Sequence, residues 1–250
     1  MINGPSPETL AKEFWSGTGL QETFPRNIER AIAMNLPLAL VKMPSVTTRA
    51  VKKWLKNRHA AMSLPDDRRD LMGCLVAYQG NGVVFVCGAD DPEDQRLTVA
   101  HEVGHFLVDY RFPRLQVIQA LGERIAEVLD GLRQASPAER ANAVLSHVRL
   151  GAHVHLLPRR GRDEDSDSCV GYAEERAHRL GLELVAPRQL IIVLIQQLAA
   201  QGITSTKGVS SKLAVYFGLP VNSFSNLVKQ KSQRLPISFF EDAMTAIKER

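Results

Sequence analysis

His101-Glu102-Val103-Gly104-His105 closes the run Arg96-Leu-Thr-Val-Ala-His-Glu-Val-Gly-His105. On an α-helix, residues four apart lie on one face. His101 and His105 can therefore turn two imidazole nitrogens toward one metal ion. Glu102 sits beside the first of them, where it can reach a water activated by that ion and take its proton. The pattern HExxH is the signature of zinc-dependent peptide hydrolysis. It requires a helix around it, a third ligand and a pocket.

The flanking sequence supplies the helix. Asp91 reads as an N-cap, Pro92 as the first helical residue, and Glu93 and Asp94 as first-turn acids. Leu97, Ala100, Val103, Phe106 and Leu107 carry the apolar pattern onward. Gly104 costs such a helix about 1 kcal/mol relative to Ala. Close approach of another backbone, a strand or the helix bearing the third ligand, accounts for it. Upstream, Cys74–Gln79 and Val83–Cys87 flank Gly80-Asn81-Gly82 and predict a β-hairpin. A turn centred on Gly80-Asn81 would set Cys74 opposite Cys87, whereas one centred on Asn81-Gly82 would not. The first register alone would permit a disulfide, and a reducing cytoplasm argues against one.

The chain has 250 residues, 44% hydrophobic and 23% charged, with a net charge of +4. These are values of an ordinary globular protein, and they give little support to direct nucleic-acid binding. The N-terminus lacks the pattern of a signal peptide, and the longest apolar stretch, Leu190–Ile195, is too short to span a bilayer. The three cysteines show no CxxC spacing, and the expected compartment is the cytoplasm.

Other elements follow from periodicity and caps. A strand is expected over Leu36–Val41, and a helix capped by Ser45 through Val51, Trp54 and Leu55, whose basic side reads as a solvated face. Amphipathic helices are expected over 115–133 and 136–150, and a charged, cleavable loop over 159–168. A long helix follows from Cys169 to Ala186, stopped by Pro187. Further helices are expected over 188–201, 208–217, 222–229 and 239–248. The expected organisation is an N-terminal segment (1–65), a core (66–200) with a helical insertion at about 113–160, and a helical C-terminal region (201–250).

A catalytic zinc needs a third protein ligand. The candidates are Glu174, Glu175, Asp109, His147, His153, His155 and His178. Asp109 shares a helix with both histidines, and one straight helix cannot surround a metal. On the 169–186 helix, Ala173, Ala177, Leu180 and Leu184 form a core stripe, with Glu174, His178, Gly181 and Val185 beside it. The stripe favours Glu174 and leaves the others open. His178 would hydrogen-bond a ligand from outside the metal's own shell. Tyr110 and Tyr172, with His153 and His155, are candidate donors to a reaction oxyanion.

Two segments resemble one known family. Arg96–His105 is similar to the R-F-T-x-A-H-E-x-G-H segment of the ImmA/IrrE metallopeptidases. Glu174–Pro187 resembles that family's second motif, E-x-x-A-N-x-F-A-x-x-L-L-x-P, with Glu174, Ala177, Leu184 and Pro187 in register. The resemblance implies that Glu174 is the third ligand of a single catalytic zinc. It also implies an α+β, mostly helical, zincin-like fold with a small antiparallel sheet or hairpin against the HExxH helix. The implied substrate is a helix-turn-helix repressor, cut at one site to relieve repression of stress or mobile-element genes. Leu97 replaces the family's Phe, Gly181 its Ala and His178 its Asn, and the two motifs are unusually far apart. The competing expectation is a non-proteolytic zinc protein that binds a repressor or toxin.

Overall fold

Strand β3 organises the sheet because it is paired along both edges. The strands are β1 (Leu38–Met43), β2 (Val46–Thr47), β3 (Asp70–Tyr78), β4 (Asn81–Cys87) and β5 (His153–Pro158). The computed structural model describes residues 5–60, 62, 64–65, 67–145, 151–159 and 168–234. Strand order is β1-β4-β3-β2, and β5 also pairs with β3. The chain is thus α+β with a small sheet, but the sheet is mixed rather than antiparallel throughout. β4, β2 and β5 occupy both edges of β3, so β1 takes the far edge of β4, where it runs parallel.

The side-chain period of two divides the residues of β3 and β4 between two layers. On one face, Leu71, Cys74, Val76 and Phe85 bury with Val51 and Leu55 of helix α3 (Thr48–Lys56). Trp54 of the same helix meets Phe85 edge-on at 5.1 Å. The cap of α3 is Thr47, whose hydroxyl accepts from the Ala50 amide at 3.1 Å. Ser45 is not the cap because Val46 and Thr47 are still extended and paired with β3. The opposite face of the sheet carries α4 (Pro92–His105).

The hairpin turn differs from both expected registers. Tyr78 pairs with Asn81, so the turn residues are Gln79 and Gly80, both at positive φ. Gly82 is consumed inside β4, where a Cβ would lie 2.5 Å from Leu38 and 2.9 Å from Phe106. Close packing holds Gly82 in the strand, so the turn slides back. Cys74 therefore faces Phe85, and Cys74 and Cys87 are free thiols.

α4 begins at Pro92 as expected, although the Asp91 side chain makes no cap hydrogen bond. After His105 the helix widens into a π-helical stretch, Phe106–Arg111, and resumes as α5 (Phe112–Leu121). Gly122, at φ 84°, ends α5. The helix expected over 115–133 is therefore two pieces, α5 and α6 (Ile125–Leu129). α7 (Pro137–Leu145) follows, opened by the reciprocal Ser136–Glu139 capping box. The stretch expected to be helical as far as 160 ends instead in β5. The expected loop at 159–168 and helix at 239–248 fall almost wholly or wholly outside the described residues.

α8 (Ser168–Val185) crosses α4. Helix α1 (Pro7–Ser16) ties down its end: Trp15 Nε1 donates to the Leu184 carbonyl at 2.8 Å. α2 (Ile28–Asn35) precedes β1. The chain divides into two units, one of Met1–Gln21 with Asn27–Leu184, the other of Glu22–Arg26 with Val185–Arg250. The second unit is helical: α9 (Arg188–Ala200), α10 (Thr206–Phe217) and α11 (Asn222–Arg234). Phe217 anchors its aromatic cluster, edge-on to Phe24 and stacked on Phe224. No single helix among the described residues is long and apolar enough to cross a membrane.

Candidate metal centre

Two glycines set the distance between α4 and α8. A Cβ on Gly104 would lie 2.3 Å from the Ala177 carbonyl oxygen, and one on Gly181 would lie 2.8 Å from the Ala100 carbonyl oxygen. Each helix therefore presses a bare backbone against the other. This is the close approach that Gly104 announced, and its partner is the helix bearing Glu174. Ala177, Leu180 and Leu184 are fully buried.

The contact brings His101, His105 and Glu174 together. His101 Nε2 and His105 Nε2 are 3.2 Å apart. Glu174 Oε2 is 3.5 Å from His101 Nε2, and its Oε1 is 3.6 Å from His105 Nε2. Donors about 2.0–2.1 Å from a tetrahedral ion stand roughly 3.3–3.4 Å from one another. The three separations bracket that value. Two imidazoles and a carboxylate are also a donor set suited to zinc and to other borderline divalent ions. All three residues are buried.

His155 joins this group, and the ligand atoms of all four residues lie within 4.8 Å of one another. It arrives from β5, where Leu75 pairs with His155 and Ala77 with His153. Alternation sends Val154 and Leu156 toward the α3 layer and turns His153 and His155 to the α4 side. His155 Nδ1 lies 2.8 Å from Glu102 Oε2, and its Nε2 lies 2.7 Å from Glu174 Oε1. Its ring stacks on that of His105 at 3.7 Å between centroids.

Glu102 is completely buried. Its Oε1 finds no hydrogen-bond partner among the described residues. Burial disfavours its charge, but the charge and hydrogen bond of His155 outweigh this and keep the carboxyl below its usual range. Glu174 is likewise held low against burial by hydrogen bonds with His101, His105 and His155. Burial pulls His155 down, yet Glu102 and Glu174 push it up to about 10. The cluster therefore concentrates carboxylate charge in a buried place, with His155 between Glu102 and Glu174, and its four residues could hold a metal ion.

A second carboxylate orients the site. His105 Nδ1 donates to Asp109 Oδ2 at 2.6 Å. An ionised carboxylate only accepts, so this bond places the ring proton on Nδ1 and leaves the Nε2 lone pair facing the cluster. Arg176 of α8 donates to Asp109 and, at 3.3 Å, to the Val108 carbonyl inside the π-helical stretch. Widened turns of this kind recur at functional sites. The i, i+4 spacing of His105 and Asp109 was the available signal; Asp109 serves as an orienting group.

The remaining candidates lie elsewhere. Tyr110 is buried, and its hydroxyl accepts from the Gly80 amide at 2.7 Å, which fixes the hairpin turn. Tyr172 is 68% exposed. His178 is exposed, its ring 5.9 Å from that of His101, and Glu175 is also exposed. His153 is buried next to Tyr110, with ring centroids 6.3 Å apart, and is not among the four clustered residues. His147 falls outside the described residues. Of the oxyanion-donor candidates, His155 is the one in the cluster. No protein-family model matches the chain, and no curated protein matches its sequence, so the likeness at Arg96–His105 and Glu174–Pro187 rests on those residues alone.

Proposed function

We propose that this chain is a zinc-dependent peptidase that cuts a regulatory protein. The observation that carries the reading is the convergence of His101, His105 and Glu174 at tetrahedral spacing, with the buried Glu102 carboxylate in reach of the same cluster. When bound, zinc would lower the pKa of a water toward about 7 and act as a Lewis acid. The residues of the chain supply the remainder. Glu102 is ionised at neutral pH, so it can accept the proton of the attacking water and deliver it to the leaving amine. Asp109 keeps the His105 lone pair aimed inward, and Arg176 steadies Asp109. Burial removes competing water and strengthens each of these interactions.

On this reading the sheet, α4 and α8 form a zincin-like unit of the ImmA/IrrE kind. The substrate is then a helix-turn-helix repressor, cleaved in the cytoplasm to release stress or mobile-element genes. A second reading, a non-proteolytic regulator with a structural zinc, takes support from His155. That residue hydrogen-bonds Glu102 and so occupies the base.

One experiment separates the two. The zinc-loaded chain and its Glu102→Gln variant are incubated with a repressor encoded beside the gene. We expect one specific cut, slowed by roughly 10²–10⁴-fold in the variant. Equal cleavage by both removes Glu102 as the base. Association without cleavage by either establishes the second reading.

A further inference from the structure

The C-terminal helices carry chemistry that the metal centre does not use. We propose that α10, the turn after it and α11 form a helix-turn-helix that binds duplex DNA, with α11 as the helix that enters the major groove. The inference goes beyond the peptidase reading and does not depend on it.

The backbone argues for the motif. α10 ends at Phe217 and α11 begins at Asn222, so the turn is Gly218-Leu219-Pro220-Val221. Gly218 is left-handed, at φ 59° and ψ 47°, and its amide donates to the Ala214 carbonyl. The Leu219 amide donates to the same carbonyl at 3.1 Å, so the chain leaves α10 at once. A turn of three or four residues that contains a glycine is the connection of helix-turn-helix motifs. Leu213 and Phe217 of α10, Leu219 of the turn, and Phe224 and Val228 of α11 are all buried. Phe217 stacks on Phe224, which holds the second helix against the first.

The side chains argue for DNA. Phe224 and Val228 take the inner side of α11, and helical period puts Asn222, Asn226 and Lys229 together on the outer side, where all three are exposed. In the major groove an amide side chain pairs bidentately with adenine and a lysine with guanine, and residues near the start of the second helix reach the base edges. Lys207 and Lys212 of α10 are exposed as well and suit phosphate contacts. From Arg188 to Arg234 the chain has six cations (Arg188, Lys207, Lys212, Lys229, Lys231 and Arg234) and no Asp or Glu. The net charge of +4 therefore divides into +6 in this segment and −2 elsewhere, which is why the charge of the whole chain conceals it. Surfaces that face only water intersperse both signs, whereas cations alone on a polar helix face fit a polyanion. The major groove of duplex RNA is too narrow for side chains to read, so the occupant is B-form DNA.

The test titrates the full chain against a mixed-sequence DNA duplex of about 30 bp by fluorescence anisotropy, between about 50 and 200 mM salt. Log affinity should fall linearly with log salt, with a slope of about −3 to −5. The variant with Lys207→Ala, Lys212→Ala and Lys229→Ala should flatten that slope by about 2–3. Selection from a pool of random-sequence duplexes should return a preferred site. Asn226→Ala should bind the mixed-sequence duplex as before but lose roughly tenfold or more on the selected site. Glu102→Gln should bind DNA as the wild type does, so loss of cleavage and loss of DNA binding are separate outcomes. Absence of binding at the lowest salt, or equal affinity for duplex RNA of the same sequence, would overturn the proposal. So would an unchanged slope in the triple-lysine variant, or an equal loss on changing Arg49, Lys53 and Lys56 of α3 to alanine. A pool that returns no preferred site would remove α11 as a reading helix. The salt slope, the RNA comparison and the selection use the wild type and do not require any variant to fold.

Discussion

The crossing of α4 with α8 and the strand β5 deliver donors to the same cluster, yet different forces hold them. The helices meet through glycines, with no side chain between the backbones at the crossing, and this close contact sets the spacing of His101, His105 and Glu174. β5 is held by a ladder to one mapped neighbour and by apolar side chains such as Leu156, which is only partly buried. The lesson is that one cluster can draw on a helix pair whose spacing is set by bare backbone and on a strand held by a single ladder.

The largest expected effect breaks the rigid side. Gly104→Ala places a methyl 2.3 Å from the Ala177 carbonyl and must push the helices apart. We expect a loss of about 2–3 kcal/mol in denaturant unfolding, with bound zinc lost by elemental analysis. Gly171→Ala on the same α8 meets nothing within 4 Å. It should leave metal intact and stability unchanged or raised by up to about 1 kcal/mol. Equal damage from the two substitutions would refute the special role of the crossing.

A smaller effect is expected where the rigid side is merely oriented. Asp109→Asn keeps the shape but loses the charge that fixes the His105 tautomer. Zinc affinity should drop roughly 10- to 100-fold in a competition titration, with little change in unfolding. An unchanged affinity would make the 2.6 Å contact incidental.

The mildest change sharpens the comparison through pH, in chelator-treated protein. The His155 pKa is raised to about 10, so its contribution to stability is complete below the unfolded value of about 6.5 and is lost as pH rises toward 10. Glu102, Glu174 and Asp109 are depressed, so theirs is present above about pH 4 and lost as pH falls further. Thermal melts should therefore show Tm declining on both limbs. His155→Ala should flatten the alkaline limb, because it removes the strand-borne proton that holds Glu102 and Glu174. An alkaline limb of the same slope in the variant would show that β5 is not held this way.

How much was legible follows from the same contrast. The start of α4 at Pro92, the span of α8, and the register of His101, His105 and Glu174 could be read because helical periodicity is local. Gly104 signalled a close approach before any partner was known. β5 was not legible: His153–Pro158 is short, follows a helical stretch, and gains its pairing from β3, some eighty residues away in sequence. His155 was consequently one candidate among several, without a strand to aim it. The hairpin was visible but its register was not, since Gly82 was claimed by contacts with Leu38 and Phe106 rather than by the turn.

The sequence by itself determined the types of the clustered side chains, their spacing along two helices and the carboxylate beside the first histidine, because side-chain chemistry and helical period are encoded residue by residue. Only the tertiary structure decided that Asp109 orients His105, that Tyr110 serves the hairpin, and that His155 meets Glu102 and Glu174. Those outcomes depend on π-helical widening, on strand register and on which edge of β3 remained free. Each is settled by packing between segments distant in the chain, and periodicity carries no record of it.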